Sequence, residues 1–195
     1  VRTDQMIRLL FLLLAPMLFA QKQELGFTLG GLIPRERAPI DVRGGLALQF
    51  NYGRVIVKNS NVALLGEVHL LASPLRDVES RVPTAVRDFA SLYLTPGLRV
   101  QFRPDARFRP YLTGGFGYAQ YHSSELLQNG SASPVRDRQH TWAGSVGGGA
   151  DWQLVGPIAL RGDLRHWFSP SPRFNVPNTG LRQHTVVSGG FVIRL

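Results

Sequence analysis

Apolar and polar residues alternate with a period of two along most of this 195-residue chain. Successive side chains of a β-strand point to opposite faces, so this pattern predicts strands rather than helices. Eight segments carry the alternation, and each has one face made mainly of large apolar side chains. These faces are Leu25, Phe27 and Leu29; Leu46, Leu48, Phe50 and Tyr52; Val62, Leu64, Val68 and Leu70; Leu92, Leu94, Leu98, Val100 and Phe102; Leu112, Phe116 and Tyr118; Trp142, Val146, Ala150, Trp152 and Leu154; Ile158, Leu160, Leu164 and Phe168; and Val187, Phe191, Ile193 and Leu195.

The lengths of the connections between these segments indicate how the strands are arranged. A soluble β-sandwich would show the same alternation, so the alternation alone does not decide. The seven connections are alternately long and short, with about 10, 4, 16, 7, 16, 3 and 14 residues. Outer-membrane barrels have this arrangement, because their short turns lie on the periplasmic side and their long loops outside the cell. We therefore predict an all-β, eight-stranded antiparallel up-and-down transmembrane β-barrel with its apolar face toward lipid.

An apolar run near the N-terminus predicts export. Arg8 precedes the run Leu9–Phe19, and the small residue Ala20 follows it, which is the pattern of a cleavable signal peptide. The run has only about half of the ~20 apolar residues that a membrane-spanning helix requires. We expect residues 1–20 to be the signal peptide with a few upstream residues, and residues 21–195 to form the barrel domain.

Four segments of the chain carry a family resemblance: Phe108–Tyr118, Trp142–Leu154, Ile158–Phe168 and Arg182–Leu195. They resemble the outer-membrane β-barrel domain family of small OmpA/OmpX-type barrels. The resemblance covers the whole mature chain and implies a location in the cell outer membrane and insertion by the barrel-assembly machinery. Family members commonly end in an aromatic residue, whereas this chain ends in leucine. The expected assembly signal consists of Val187, Phe191, Ile193 and Leu195.

Charged residues on the polar faces predict an ionic network inside the barrel. Side chains just fill the interior of an eight-stranded barrel, and charges buried there must be paired. The expected network consists of Glu67, Arg99, Asp151, Arg161, Asp163 and Arg165, and Glu24 and Arg194 also belong to the lumen-facing set. The functional interpretation is a gated or proton-conducting lumen. We favour the alternative, an ionic core that fills and stabilises the barrel.

Other residue patterns suggest activities that we consider less favoured. His122 and Ser124 have the His-x-Ser spacing of outer-membrane lipid A deacylases, but the segment leads into a polar loop without evidence of an organised acyl pocket. The five histidines lack metal-ligand spacing, and cysteine is absent. The net charge of +9 is not arranged as a basic stripe with stacking aromatics, so nucleic-acid binding is not expected. We expect no cofactor and no metal.

Arginine in the long connections suggests a partner. Guanidinium groups bind phosphate in a bidentate manner, so lipopolysaccharide head groups and outer-membrane lipid are the expected partners of a monomeric barrel. Seven acidic residues share these connections, and a solvated surface of mixed charge is the alternative interpretation. The arginines are Arg35, Arg37, Arg43, Arg76, Arg81, Arg87, Arg136, Arg138, Arg173 and Arg182.

The sequence therefore predicts an integral outer-membrane protein with a structural or surface-interaction role and no catalysis. An outer-membrane lipid hydrolase is one alternative. A soluble periplasmic β-barrel or sandwich that binds a ligand is the other.

The signal peptide can be tested by sequencing the N-terminus of the protein recovered from the outer-membrane fraction. We expect the mature chain to begin at or close to Gln21, because signal peptidase cleaves after a small residue such as Ala20. Recovery of protein that retains Met6 would contradict the prediction.

Overall fold

The structure, a computed structural model, describes residues 23–35, 40–42, 44–80, 85–134, 138–171 and 181–195. The segment predicted to be a signal peptide lies outside these residues. No helix that could cross a membrane occurs in the described part of the chain. The strands are β1 (Gln23–Pro34), β2 (Ile40–Val42), β3 (Gly45–Lys58), β4 (Val62–Ser80), β5 (Asp88–Phe102), β6 (Phe108–Ser123), β7 (Arg138–Val155), β8 (Ile158–Pro170) and β9 (Leu181–Arg194).

Eight of these strands form a closed antiparallel barrel. Neighbouring strands follow the order β4-β3-β1-β9-β8-β7-β6-β5, and β4 also pairs with β5, which closes the ring. The first and last strands are neighbours over ten or more residue pairs, from Glu24 opposite Arg194 to Pro34 opposite His184. The prediction of an eight-stranded antiparallel barrel is confirmed.

The structure differs from the prediction in the third connection, for which the sequence predicted about 16 residues without strand structure, from Ser73 to Asp88. β4 continues to Ser80, and the short β2 pairs with its end. A register shift between Ser73 and Arg76 marks a β-bulge in the pairing of β4 with β5. A bulge bends and twists the strand that contains it. Beyond the bulge, the end of β4 is hydrogen-bonded to β2 and to the start of β5. These partners explain why β4 extends past the end of the barrel wall.

The strands place apolar side chains on the outside of the barrel and polar side chains inside, which is the opposite of the distribution in a soluble protein. Leu112, Phe116 and Val146 point outward, and 60%, 63% and 52% of their surfaces are exposed. Interior positions carry charged and hydroxyl side chains that are buried. An apolar surface that surrounds a barrel matches a lipid environment, since lipid tails demand no polar partner.

Aromatic side chains mark the two edges of this apolar surface. At one edge Trp142 packs against Phe116 and Phe168, with ring centroids 5.7 and 6.4 Å apart. At the other edge Trp152 packs against Phe108 at 6.0 Å. The two tryptophans lie ten residues apart on β7, which corresponds to about 25 Å of depth for a tilted strand. This depth is that of the apolar band of outer-membrane barrels.

Three short connections lie together at one end of the barrel, which we call the turn end; the opposite end is the loop end. Between β3 and β4, Asn59 Oδ1 accepts hydrogen bonds from the backbone N–H groups of Asn61 and Val62 at 2.9 and 2.8 Å. Between β7 and β8, Gly156 has a φ of +53°, a conformation that glycine adopts without steric cost. Local turn chemistry therefore fixes the register of both hairpins.

The orientation of the barrel can be tested by labelling single cysteines on intact cells, since the natural chain has none. Ser131 lies in the connection between β6 and β7 at the loop end, and Ser60 lies in the turn between β3 and β4; both are exposed. We expect a membrane-impermeant maleimide to label Ser131→Cys on intact cells. Ser60→Cys should react only after the envelope is permeabilised. The opposite labelling pattern would reverse the topology.

Candidate functional site

The candidate site is the charged interior of the barrel, on the half nearer the turn end. The period of two along each strand directs the polar face inward, so charges from six strands meet in a narrow space. The structure places every residue of the predicted network there, with at most 5% of its surface exposed. These residues are Glu67, Arg99, Asp151, Arg161, Asp163 and Arg165.

Arg99 of β5 is fully buried and lies between two carboxylates. Its guanidinium pairs with Glu67 of β4, another residue of the predicted network, and with Glu24 of β1. The Tyr111 ring lies beneath the charge, 4.8 Å from the guanidinium carbon. Arg99 therefore links the first strand of the chain to the opposite wall of the barrel.

Arg161 of β8 makes the second ion-pair group. Its Nε donates to Asp151 Oδ1 at 2.7 Å and its Nη2 donates to Asp151 Oδ2 at 2.9 Å, which is a bidentate pair. The same Nη2 donates to Glu24 Oε1 at 3.0 Å. Arg194 adds a bond to Asp151 Oδ2 at 2.7 Å. Glu24 and Arg194 thus belong to the network as fully as the six residues first proposed.

A third group joins Arg165 to two acids. Arg165 Nη2 donates to Glu67 Oε1 at 2.9 Å, and its Nε lies 3.5 Å from Asp163 Oδ1. The Tyr111 hydroxyl donates to Asp163 Oδ2 at 2.6 Å. Gly149 makes room for this tyrosine, because a Cβ at that position would lie 2.6 Å from its hydroxyl oxygen. Four arginines and four carboxylates are therefore joined into one network of zero formal charge.

A hydrogen-bonded layer of imidazole, amide and hydroxyl groups lies next to the network, toward the loop end. His69 Nε2 donates to Gln49 Oε1 at 2.8 Å. The Gln49 amide in turn donates to the hydroxyls of Ser188 and Thr28 at 2.6 and 3.3 Å. The sequence did not indicate these partners of His69 and Gln49 or the role of Tyr111, because both depend on strand register.

Two further features determine from which end of the barrel solvent can reach the network. Toward the loop end, Leu71, Tyr93 and Trp167 form a fully buried layer across the lumen. Toward the turn end, a cavity of about 530 Å³ is lined by Glu24 and Arg194, by Lys58 at the end of β3, and by residues of the turns that follow β5 and β7. Solvent can therefore approach the charges from the turn end, while the other side is packed.

The residues of the proposed assembly signal lie where the alternation placed them. Val187, Phe191 and Ile193 are on the outward face of β9, with 45–55% of their surfaces exposed. Leu195 follows the strand, and its backbone N–H donates to the Gln23 carbonyl at 2.8 Å. The C-terminal segment is thus held against the first strand with its apolar side chains facing outward.

The residues of the hydrolase alternative lie outside the lumen. His122 is exposed near the end of β6 and lines a groove of about 280 Å³ on the outer surface, next to Leu48 and Leu92. Ser124 follows the strand, and its Oγ accepts a hydrogen bond from the Leu126 backbone N–H at 3.3 Å. Neither residue contributes to the charged interior.

No family model matches the sequence, and no curated protein is detectably similar to it. Solved structures do match. Neisserial surface protein A (NspA) superposes with a TM-score of 0.56 and 11% identity, over 88% of this chain and 96% of that one. The outer membrane protein OprG from Pseudomonas aeruginosa gives a TM-score of 0.54 and 13% identity, over 90% and 96%.

The chain has the fold of the small outer-membrane β-barrels. The N-terminal β-barrel domain of Pseudomonas aeruginosa OprF supports the same conclusion, with a TM-score of 0.52 and 11% identity over 89% of this chain and 97% of that one. The outer membrane enzyme PagL also matches, with a TM-score of 0.51 and 12% identity over 85% and 97%. The resemblance to OmpA/OmpX-type barrels is therefore confirmed for the fold. At these identities the shared fold does not extend to a shared activity.

The pairing of Glu67 with Arg99 can be tested by a double-mutant cycle of unfolding in detergent. Glu67→Gln and Arg99→Met should each lower the free energy of unfolding by about 3–5 kcal/mol, because each leaves buried charges of the network incompletely neutralised. The double variant should recover part of the loss, whereas additive losses would show that the two residues do not interact. Asp105→Asn is the matched control, since Asp105 pairs with Lys58 at 2.5 Å but is largely exposed, and such pairs contribute about 0–1 kcal/mol.

Proposed function

We propose that the protein is an integral outer-membrane barrel with a structural or surface-interaction role, and that its ionic lumen seals the barrel rather than conducting. The observation that supports this most directly is the inverted distribution of side chains. Apolar residues surround the outside, while four arginines and four carboxylates neutralise each other inside. A soluble periplasmic binder would expose the opposite face.

The sealed lumen is supported by packing as well as by charge. Tyr93 and Trp167 are fully buried, with ring centroids 5.1 Å apart, and Tyr111 lies between Arg99 and Arg161, with its ring centre 4.8 and 5.0 Å from the two guanidinium carbons. Side chains in an eight-stranded barrel leave no room for a continuous water column when they are packed in this way. The charges then act as a core that links strands β1, β4, β5, β7, β8 and β9.

The expected surface partner is lipopolysaccharide. Arg35, Arg87 and Arg138 are exposed at the loop end, where phosphate groups of the outer leaflet would meet the barrel. Two of the arginines that the sequence assigned to the loops do not belong to this surface, because Arg76 is buried inside the lumen and the Arg182 guanidinium lies against the Phe89 ring. The surface proposal therefore rests on fewer cations than the sequence suggested.

The proposal is tested by reconstituting the purified protein into planar bilayers, after heat-modifiable migration on a gel has shown that it is folded. We expect no unitary conductance from the unmodified protein, because the charges and the aromatic layer block the lumen. The exposed variant Asp105→Asn should be equally silent. Reproducible channels from the unmodified protein would favour the conducting alternative.

Catalysis is tested separately, because the fold is shared with an outer-membrane enzyme. We expect no release of fatty acid from lipopolysaccharide by the unmodified protein in detergent micelles. Activity that Ser124→Ala abolishes would replace our proposal with the lipid hydrolase.

A further inference from the structure

The loop end of the lumen contains a buried arginine that is not part of the ionic network. Arg76 lies on β4 beyond the bulge and exposes 2% of its surface. Its Nη2 donates to Ser91 Oγ at 3.1 Å. Arg76 Nε and Nη1 have no hydrogen-bond partner among the described residues. No carboxylate among the side chains that the structure describes forms an ion pair with Arg76.

A second guanidinium lies close to the first. Arg76 and Arg182 both contact the Phe89 ring, with guanidinium carbons 4.5 and 4.8 Å from its centre. Two cations therefore flank one buried ring. A buried charge is strongly destabilising unless a counter-charge accompanies it. The network near the turn end meets this requirement with its own carboxylates, whereas no carboxylate among the side chains that the structure describes pairs with Arg76.

Polar groups with unused hydrogen-bonding capacity surround the same space. His184 is fully buried, and neither of its ring nitrogens has a partner among the described residues; the same is true of Trp167 Nε1 and Ser73 Oγ. The Tyr93 ring connects this group, since its centroid lies 5.2 Å from His184 and 5.1 Å from Trp167. Buried polar groups in native proteins are almost always hydrogen-bonded, so these atoms are available to a ligand that enters the cluster.

We propose that this loop-end cluster, formed by Arg76, Arg182, His184, Trp167 and Ser73, binds a small oxyanion with the chemistry of phosphate. The arginine supplies charge and N–H donors that match oxyanion geometry, and the indole N–H and serine hydroxyl can donate to the remaining oxygens. The cluster lies inside the barrel rather than on its lipid-facing surface. Its anion is therefore a soluble phosphate or phosphate ester rather than the head group of a lipid.

The first experiment measures thermal unfolding of the folded protein in a phosphate-free, non-ionic detergent at constant ionic strength. Inorganic phosphate should raise the unfolding midpoint progressively, because a ligand that binds only the folded state stabilises it. Arg76→Met should weaken the apparent phosphate affinity about ten- to hundredfold, the usual value of a charge-assisted hydrogen bond. Arg138→Met, at an exposed arginine of the same end, should leave the affinity unchanged.

A second measurement uses the same variants without any oxyanion. Arg76→Met should then unfold at a higher denaturant concentration than the unmodified protein, because it removes a buried charge that has no counter-charge. Added phosphate should reverse this order. If the methionine variant does not refold, Arg76→Lys keeps a charge but loses the planar donors, and it should show the same weakening of phosphate affinity.

Two results would overturn the proposal of a phosphate site. One is that millimolar phosphate leaves the midpoint of the unmodified protein unchanged, and the other is that phosphate shifts the unmodified protein and Arg76→Met equally. Lipopolysaccharide is the comparison ligand. An Arg76-dependent stabilisation by lipopolysaccharide but not by inorganic phosphate would overturn the assignment to a soluble anion. Neither result depends on whether the lumen conducts, so the bilayer test of the proposed function remains separate.

Discussion

The pairing of β1 with β9 is the constraint on which the rest of the structure depends. Backbone N–H and C=O groups within a bilayer find no water, so each must bond within the protein, and only a closed sheet leaves no unpaired edge. Here the first and last strands meet from Glu24 opposite Arg194 onward. Closure with eight strands also fixes a narrow interior. The narrow interior in turn limits which side chains can point inward, because charged groups that are buried there must form ion pairs with one another.

The charged interior meets this demand by sharing partners rather than by forming separate pairs. Glu24 contacts Arg99, Arg161 and Arg194, while Glu67 contacts Arg99 and Arg165. Each carboxylate thereby joins strands that are distant in the sequence. A shared network is more sensitive to single substitutions than isolated pairs, since the loss of one member leaves several others incompletely neutralised. The stability of the barrel therefore depends on the network as a whole rather than on any single pair.

Much of this architecture could be predicted from the sequence because it depends on a local period. Alternation assigned the eight strands and the inward direction of Glu67 and Arg99, and connection lengths distinguished the two ends. The extension of β4 and the strand β2 could not be predicted, because a bulge and pairing between distant segments create them. The position of Arg76 was misjudged for the same reason. It lies in a stretch that resembled a loop, but the extended strand turns it into the lumen.

Because the cavity opens at the turn end, the residues of the network differ in their exposure to solvent. Arg194 retains 19% of its side-chain exposure there, whereas Glu24 behind it retains 4% and Arg99 none. The side chains of the network are thus progressively less exposed from the two terminal strands inward. Under the proposed function, the turn-end cavity exchanges water and small solutes with only one compartment, although the wall of the barrel spans the whole membrane.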